Sequence, residues 1–390
     1  MKSLHVRIYL YRIFSELMLL YPLYTVMFAE RGGLTTFQIS SLLGIWAVMI
    51  LLFEIPSGVM ADRLKRRNVL GWAQIIRAVG YGIWVFVPNY WGFLIGLVLW
   101  GVGRAMTSGT FEALLFDELK GEGNERAYAK VFGRSESLAL FFSLGSTLLA
   151  SPVFFWLGYD GVLWFSIGAT LISSLIAFTL PVKKRQQEVE TPSYWVIIRT
   201  AIAEVRRNPY LVRLIIFGIF VGMLFRIFDE YASLILKAAH VTTAYIPIVS
   251  TLVFIPVLLA DFFAYKLEHL KQIAFMILVT IAGASLITSG YQLNWLGIIG
   301  FSLFMLLVKM SITVFNAKVQ HAIKGEVRAT VTSINSFGVE AMAVVGFFIF
   351  GFLAQIGGMA GALVVFGAMT FIVGGMYLLL TRGKLLRRHA

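Results

Sequence analysis

The sequence predicts an all-α integral membrane protein: twelve transmembrane helices arranged as two six-helix bundles that repeat one another in parallel orientation. Three observations predict it. The 390 residues are 59% hydrophobic and only 14% charged, with a mean hydropathy of +0.83, a composition foreign to water-soluble globules. Predominantly apolar runs of about 18 residues or more recur along the whole length, each enough to cross roughly 30 Å of hydrocarbon as a helix, which excludes a barrel of alternating strands. The segment from Met106 to Glu122 aligns without gaps to the segment from Met310 to Glu326, with six of seventeen positions identical at an offset of 204.

The spans are predicted near residues 6–30, 37–61, 68–89, 91–118, 127–156, 161–181, 210–236, 244–265, 271–292, 294–317, 328–356 and 359–381. The longest polar interval, 182–209, divides them six and six. It reads as a cytoplasmic linker between an N-terminal bundle over 1–181 and a C-terminal bundle over 210–390. Within it Trp195, Ile198, Ile202 and Val205 recur at helical spacing beside Arg199, Arg206 and Arg207. That pattern suits a helix lying on the inner membrane surface, and equally a solvated linker helix. Both members of the internal repeat close a span at the cytoplasm, the fourth and the tenth, so the halves share one topology and are parallel rather than inverted repeats.

A net charge of +13 raises the question of nucleic acid, but a basic patch for DNA needs a soluble face. Here the basic residues sort by membrane side instead. Of 33 Lys and Arg, only Arg31 and Lys237 fall in odd-numbered loops, which places both termini in the cytoplasm of a multi-pass protein of the cell membrane. With no cysteine there is neither a disulfide nor a thiolate metal site. Met1 to Arg7 leads into a full-length first span without a cleavage signal, so no processing is expected. The five histidines, His5, His240, His269, His321 and His389, are scattered, and H-E-x-x-H, G-x-S-x-G and P-loop patterns are absent. The chain therefore reads as a non-enzyme without metal or cofactor. Its partners are the lipid bilayer, a small-molecule solute and protons, not nucleic acid, and it is expected to act as a monomer.

Ionisable groups deep in a span cost about 2.5–3.5 kcal/mol each on insertion scales, so they face the bundle interior or a wet cavity and usually pair. Arg12 and Glu16 lie four apart in span one, and Arg104, Ser108 and Glu112 make a similar stripe down span four. Arg226 precedes Asp229 and Glu230 by three and four residues in span seven. Lys309 and Glu340 sit near the midplane of spans ten and eleven, while Glu54, Arg77, Arg134, Glu136 and Asp261 occupy inner halves. A carboxylate on the wall of a cavity that opens alternately to each side can carry protons, since partial desolvation favours its neutral form and a neighbouring Arg its charged form. Glu16, Glu112, Asp229 and Glu340 are the coupling candidates; the same groups also fit fixed ion pairs between helices. Arg12, Arg104, Arg226 and Lys309 are the substrate-binding candidates, because they can hold a carboxylate or phosphate, and they fit equally as neutralisers of those carboxylates. Trp91, Trp100 and Trp164 read as interface belt and helix packing.

Between spans two and three, the turn from Gly58 to Arg67 carries four basic residues within five positions. It resembles the corresponding loop of the major facilitator superfamily, G-x-x-x-D-R/K-x-G-R/K-R/K. Gly58, Asp62, Arg63, Arg66 and Arg67 match, whereas Lys65 stands at the second glycine. The resemblance extends over essentially the full chain and implies two six-helix bundles around a central path. It also implies a cytoplasmic gate, in which the Asp62 position meets a helix start in the other half and the Arg63 and Arg66 positions meet an acid ending span four, Asp117 or Glu118 here. A topogenic loop without gating is the alternative. Span five lacks the Gly-Pro and Gly-Gly signature of proton-antiporting drug exporters. The function expected from sequence is proton-coupled secondary transport of a small organic solute, first as efflux by antiport. The alternatives are uptake of a polar or anionic solute by symport, or a lipid flippase or non-transporting sensor on the same fold.

Overall fold

The computed structural model describes residues 2–181, 209–262, 272–322 and 328–386, with the side chains of residues 2, 3, 54–63, 261, 262, 272–275, 320–322, 328–330, 333 and 376–386 excepted. The linker expected over 182–209 lies, apart from Pro209, outside the described residues, as does the loop after residue 262. Every regular element among the described residues is helical. Eight helices there are long and apolar enough to cross a membrane. By contact the chain divides into two units, Met1–Glu188 with Thr243–Thr251, and Val189–Thr242 with Leu252–Ala390.

In the first unit, α1 (Lys2–Glu16), α2 (Tyr24–Glu30), α3 (Thr36–Arg63) and α4 (Arg66–Phe86) are followed by α5 (Tyr90–Thr107), α6 (Thr110–Gly121) and α7 (Tyr128–Thr179). Pro88 cannot continue α4, and the Asn89 side chain then caps α5 by accepting from the Gly92 N–H at 3.1 Å. At Gly158 (φ +60°) α7 turns between two arms, each exceeding the roughly 20 residues a spanning helix needs. α1 and α4 pack on α7, and α5 packs on α3 and α4. The second arm of α7 fastens its neighbours through hydroxyls, whose interhelical hydrogen bonds add to van der Waals packing in lipid. Ser173 donates to the Tyr11 carbonyl at 3.2 Å and Ser174 to the Gly71 carbonyl at 2.9 Å. At its C-terminal end, Arg7 and Arg67 donate to the carbonyls of Thr179 and Leu180, cations at the negative pole of a helix.

The second unit holds α8 (Pro209–Ala238), most of α9 (Ile246–Phe262), α10 (Gln272–Tyr291), α11 (Trp295–Ala322) and α12 (Arg328–Leu386), which turns at Gly358 (φ +67°) as α7 does at Gly158. α10 packs on α11 and α12, and α8 on the same two. Phe228 of α8 sits edge-on to Phe301, Phe304, Phe350 and Phe366, so one aromatic ring ties three helices together. The first unit has its counterpart in Tyr24, Phe28, Trp84, Phe93 and Trp100. Large apolar side chains elsewhere point outward, among them Trp91, Trp156, Trp164 and Trp295, as a lipid-facing surface requires.

α4 and α5 touch through glycine. A Cβ at Gly96 would lie 2.0 Å from the buried Trp84 Nε1, whose N–H donates to the Phe93 carbonyl at 3.3 Å. Gly96→Ala must move Trp84, and overpacking of this kind costs about 1–3 kcal/mol. A lowered unfolding temperature in detergent is the expected result; an unchanged one would show that the contact yields freely.

Among the described residues, two of the expected spans are not continuous helices. Span one breaks after Glu16 and resumes at Tyr24, with Pro22 in between removing one backbone donor. The break is made tolerable in the membrane by polar partners: the Leu20 N–H donates to Ser166 Oγ at 3.1 Å, and the Leu23 N–H to the Leu20 carbonyl at 2.9 Å. Span four breaks at Ser108 and Gly109, where Ser108 is extended (ψ 127°) and Gly109 adopts φ +69°. In the repeat alignment Gly109 corresponds to Thr313, and α11 runs unbroken through that position.

Candidate functional site

The two breaks meet one cavity. It has a volume of about 420 Å³, lies within the first unit and is lined by residues of α1, the α1–α2 turn, α4, α5, α6 and α7. That volume falls in the roughly 300–1,000 Å³ range of small-molecule sites. Tyr11, Arg12, Ser15 and Glu16 come from α1, Met18 and Tyr21 from the turn, and Gln74 and Arg77 from α4. Trp100, Arg104, Thr107 and Ser108 end α5, Phe111 and Glu112 open α6, and Ser143 belongs to α7. The core beneath it, with Ile8, Leu70, Leu114, Leu115 and Val131, also contains Tyr11 and Phe111, whose rings stack at 5.7 Å. The apolar floor thus fixes two cavity residues.

Arg12 reaches Glu16 at 3.1 Å and also Glu136 of α7 at 2.7 Å, and its guanidinium lies 5.2 Å over the Phe111 ring. One cation therefore holds two carboxylates from different helices. Glu112 sits in the first turn of α6, and its Oε2 is buried without a hydrogen-bond partner among the described residues. The helix start favours negative charge there. Arg104, Ser108 and Glu112 line one cavity, but not as a stripe on a single continuous helix, because the chain breaks at Ser108 and Gly109 between α5 and α6. Arg104 instead lies 5.8 Å over Trp46. Gly109→Ala places a Cβ in the left-handed region, costing about 1–2 kcal/mol; the expected result is a destabilised protein in thermal unfolding, and full stability would show that α5 and α6 can join without that turn.

Arg77 is the residue that sequence reading noted without assigning a role. It is 7% exposed, its stem lies against Gly103, and it donates through Nη1 to Gln74 Oε1 at 3.0 Å and through Nη2 to Met18 Sδ at 2.7 Å. Gln74 donates in turn to Tyr11 Oη at 3.3 Å. The signal was present as Gln74, Arg77 and Tyr81 on one face of span three at spacings of three and four. Trp100, read as belt or packing, is 4% exposed and lines the cavity.

In the second unit Arg226 of α8 pairs with Glu230 and, through Nε, with Glu340 of α12 at 3.2 Å. Glu340 Oε2 has no hydrogen-bond partner among the described residues. Asp229 is half-buried beside this group on α8. Lys309 Nζ lies 5.3 Å over the Phe225 ring. The eight candidates thus divide between the units: Arg12, Glu16, Arg104 and Glu112 share the cavity, and Arg226, Asp229, Lys309 and Glu340 belong to the second unit.

At the turn between α3 and α4, Arg66 pairs with Asp117 and donates to the Ala113 carbonyl at 3.0 Å. Arg67 is occupied with Leu180. The surroundings of Gly58 and the side chains of Asp62 and Arg63 lie outside what the structure describes.

The profile of the Major Facilitator Superfamily matches residues 13–344. This chain belongs to that superfamily. Membership makes it a multi-pass membrane transport protein rather than an enzyme. An "uncharacterized transporter" of Buchnera aphidicola subsp. Schizaphis graminum is 28% identical over 179 residues, 45% of this chain and 42% of the relative. A second, from Buchnera aphidicola subsp. Acyrthosiphon pisum, is 26% identical over 124 residues, 32% of this chain and 31% of the relative. The chain thus spans less than half the length of these curated relatives. Among solved structures, the nucleoside transporter NupG aligns with a TM-score of 0.76 at 15% identity, covering 97% of both chains. A bacterial homolog of the human lysosomal transporter Spinster aligns at 0.74 and 13% identity over 99% of this chain and 98% of the other. A D-xylose-proton symporter aligns at 0.67 and 15% identity over 96% of both. At such identities the likeness is one of fold: this facilitator-superfamily chain has the superfamily's all-α architecture.

Proposed function

We propose that this chain is a proton-coupled secondary transporter that carries a small polar or anionic organic solute together with protons by alternating access. One observation carries the reading: three guanidinium groups and two carboxylates, Arg12, Arg77, Arg104, Glu16 and Glu112, share a cavity built where two helices are broken. Broken helices with free ends at membrane depth are where transporters bind substrates and coupling ions. Glu112, with one carboxylate oxygen unsatisfied, is the proton acceptor.

The charge of the cavity supports symport over the efflux by antiport expected first from the sequence. An anion seated among the arginines repels the ionised Glu112 and so favours its protonated form, and the proton in turn favours the anion. Proton and cargo bind cooperatively and cross together. Antiport requires them to compete for one group, as a cationic cargo and a proton would.

The surrounding architecture in this reading has twelve spans, six in each half, joined by the 182–209 linker with both termini cytoplasmic. Arg66 and Asp117, with Asp62 and Arg63, form a cytoplasmic latch whose pairing favours the state closed on that side. Glu340 and Asp229 form a second titratable group facing Arg226.

The test is accumulation of labelled solutes in proteoliposomes under an imposed pH gradient, across a panel of organic anions, cations and sugars. An organic anion concentrated above equilibrium, and released by a protonophore, is the expected result. Accumulation indifferent to the protonophore would contradict proton coupling.

A further inference from the structure

We infer that Arg77 is the residue that selects the cargo, and that it selects an organic oxyanion, a carboxylate or phosphate attached to an aromatic or similarly flat apolar body. The inference rests on the transport reading above and adds to it a recognition residue and a substrate chemistry.

The charge pairing of the buried arginines carries the argument. Arg12 has Glu16 and Glu136, Arg226 has Glu230 and Glu340, and Arg66 has Asp117. Arg77 is more deeply buried than Arg12, yet among the described residues no carboxylate oxygen lies within 4.0 Å of it. A buried cation without a carboxylate in contact is costly, and an amide oxygen, a thioether and a phenol are weak compensation. Arg77 therefore lacks a contacting negative charge of its own, because Glu16, whose charge reaches it only at longer range, is already bound to Arg12. Since Arg77 lines the cavity, the missing charge is one a solute can bring.

The geometry says which edge receives it. Nη1 is committed to Gln74, itself held by Tyr11. Nε is buried without a partner, and Nη2 points to the Met18 sulfur, a weak acceptor that an oxygen displaces readily. Nε and Nη2 together form one side of the guanidinium fork, spaced for the two oxygens of a carboxylate or phosphate. Across the same cavity stand Tyr21, Trp100 and Phe111, with Tyr21 edge-on to Trp100 at 6.4 Å. Their rings offer flat apolar surface for the remainder of the molecule.

The experiment is calorimetric titration of the full-length protein in lipid nanodiscs with benzoate, phenyl phosphate, benzamide and benzylamine, corrected with empty nanodiscs. Benzoate or phenyl phosphate is expected to bind while the neutral and cationic isosteres do not, and the tighter of the two anions distinguishes a carboxylate cargo from a phosphate. Arg77→Gln should remove anion binding. Arg77→Lys keeps the charge and stem but loses the fork, and should weaken binding about tenfold or more; thermal unfolding confirms that each variant is folded, and the lysine variant serves should the glutamine variant fail to fold. Anion binding unchanged in the lysine variant, isosteres that bind as tightly as the anions, or silence from all four probes to about 10 mM would each overturn the inference. Arg77-dependent binding without proton-linked accumulation would leave this site standing and defeat the coupling. Proton-linked accumulation of a sugar or cation, with no anion binding, would do the reverse.

Discussion

Replacing Glu112 by glutamine removes proton-driven accumulation of cargo while leaving cargo binding and exchange across the membrane intact. The carboxylate opens α6 immediately after the turn at Gly109, lines the cavity and keeps one oxygen unpartnered. Glutamine keeps the size and the hydrogen-bonding reach but cannot gain or lose a proton. Coupling between two ligands typically amounts to about 1–3 kcal/mol, or about 5–150-fold in affinity. The pH dependence of cargo affinity should therefore fall from a factor of that order to near one in the variant, read from titrations at two pH values. Wild-type pH dependence in Glu112→Gln would remove this residue from the coupling role and shift it to Glu16 or to the Arg226 group.

Arg226→Met is the substitution expected to cost most stability. Glu230 is almost fully enclosed and Glu340 partly so, and Arg226 faces both. Removing the cation of a buried pair leaves carboxylates that must be protonated or unpaired, at about 3–5 kcal/mol. The partial exposure of Glu340 places the expected loss at the lower end. Converting both carboxylates to glutamine in the Arg226→Met background should recover much of it, since replacing every partner of an ionic group is often close to neutral. Denaturation in mixed micelles reads both changes. An Arg226→Met protein as stable as wild type would mean that the group is wet enough to need no cation.

The sequence analysis reached the all-helical membrane fold because lipid imposes one requirement on every span, and continuous apolar runs record it. It found Arg12 with Glu16 and Arg226 with Glu230 because both pairs lie at i,i+4 on a single helix. It could not find Glu136 as the second partner of Arg12, or Glu340 as the partner of Arg226, since those contacts join residues 124 and 114 positions apart. The broken helices escaped for a different reason. Pro22 and Gly109 are visible in the sequence, but both residues are tolerated inside transmembrane helices. Whether the chain breaks there depends on a distant donor or acceptor such as Ser166. Reading span four as continuous put Arg104, Ser108 and Glu112 on one helix face, whereas they reach the one cavity from two helices that meet at a turn. Arg77 was seen and not chosen for the same reason: its lack of a carboxylate partner exists only once the helices are packed.

The central claim is that a solute anion and a proton cross together through the cavity of the first unit. Internal pH in proteoliposomes, recorded with a trapped dye as an organic anion identified in the accumulation screen is added outside, tests it most directly. The account predicts acidification of the interior beyond that of protein-free vesicles, abolished in Glu112→Gln. Alkalinisation on addition of the anion, or solute entry with no change in internal pH, would contradict it.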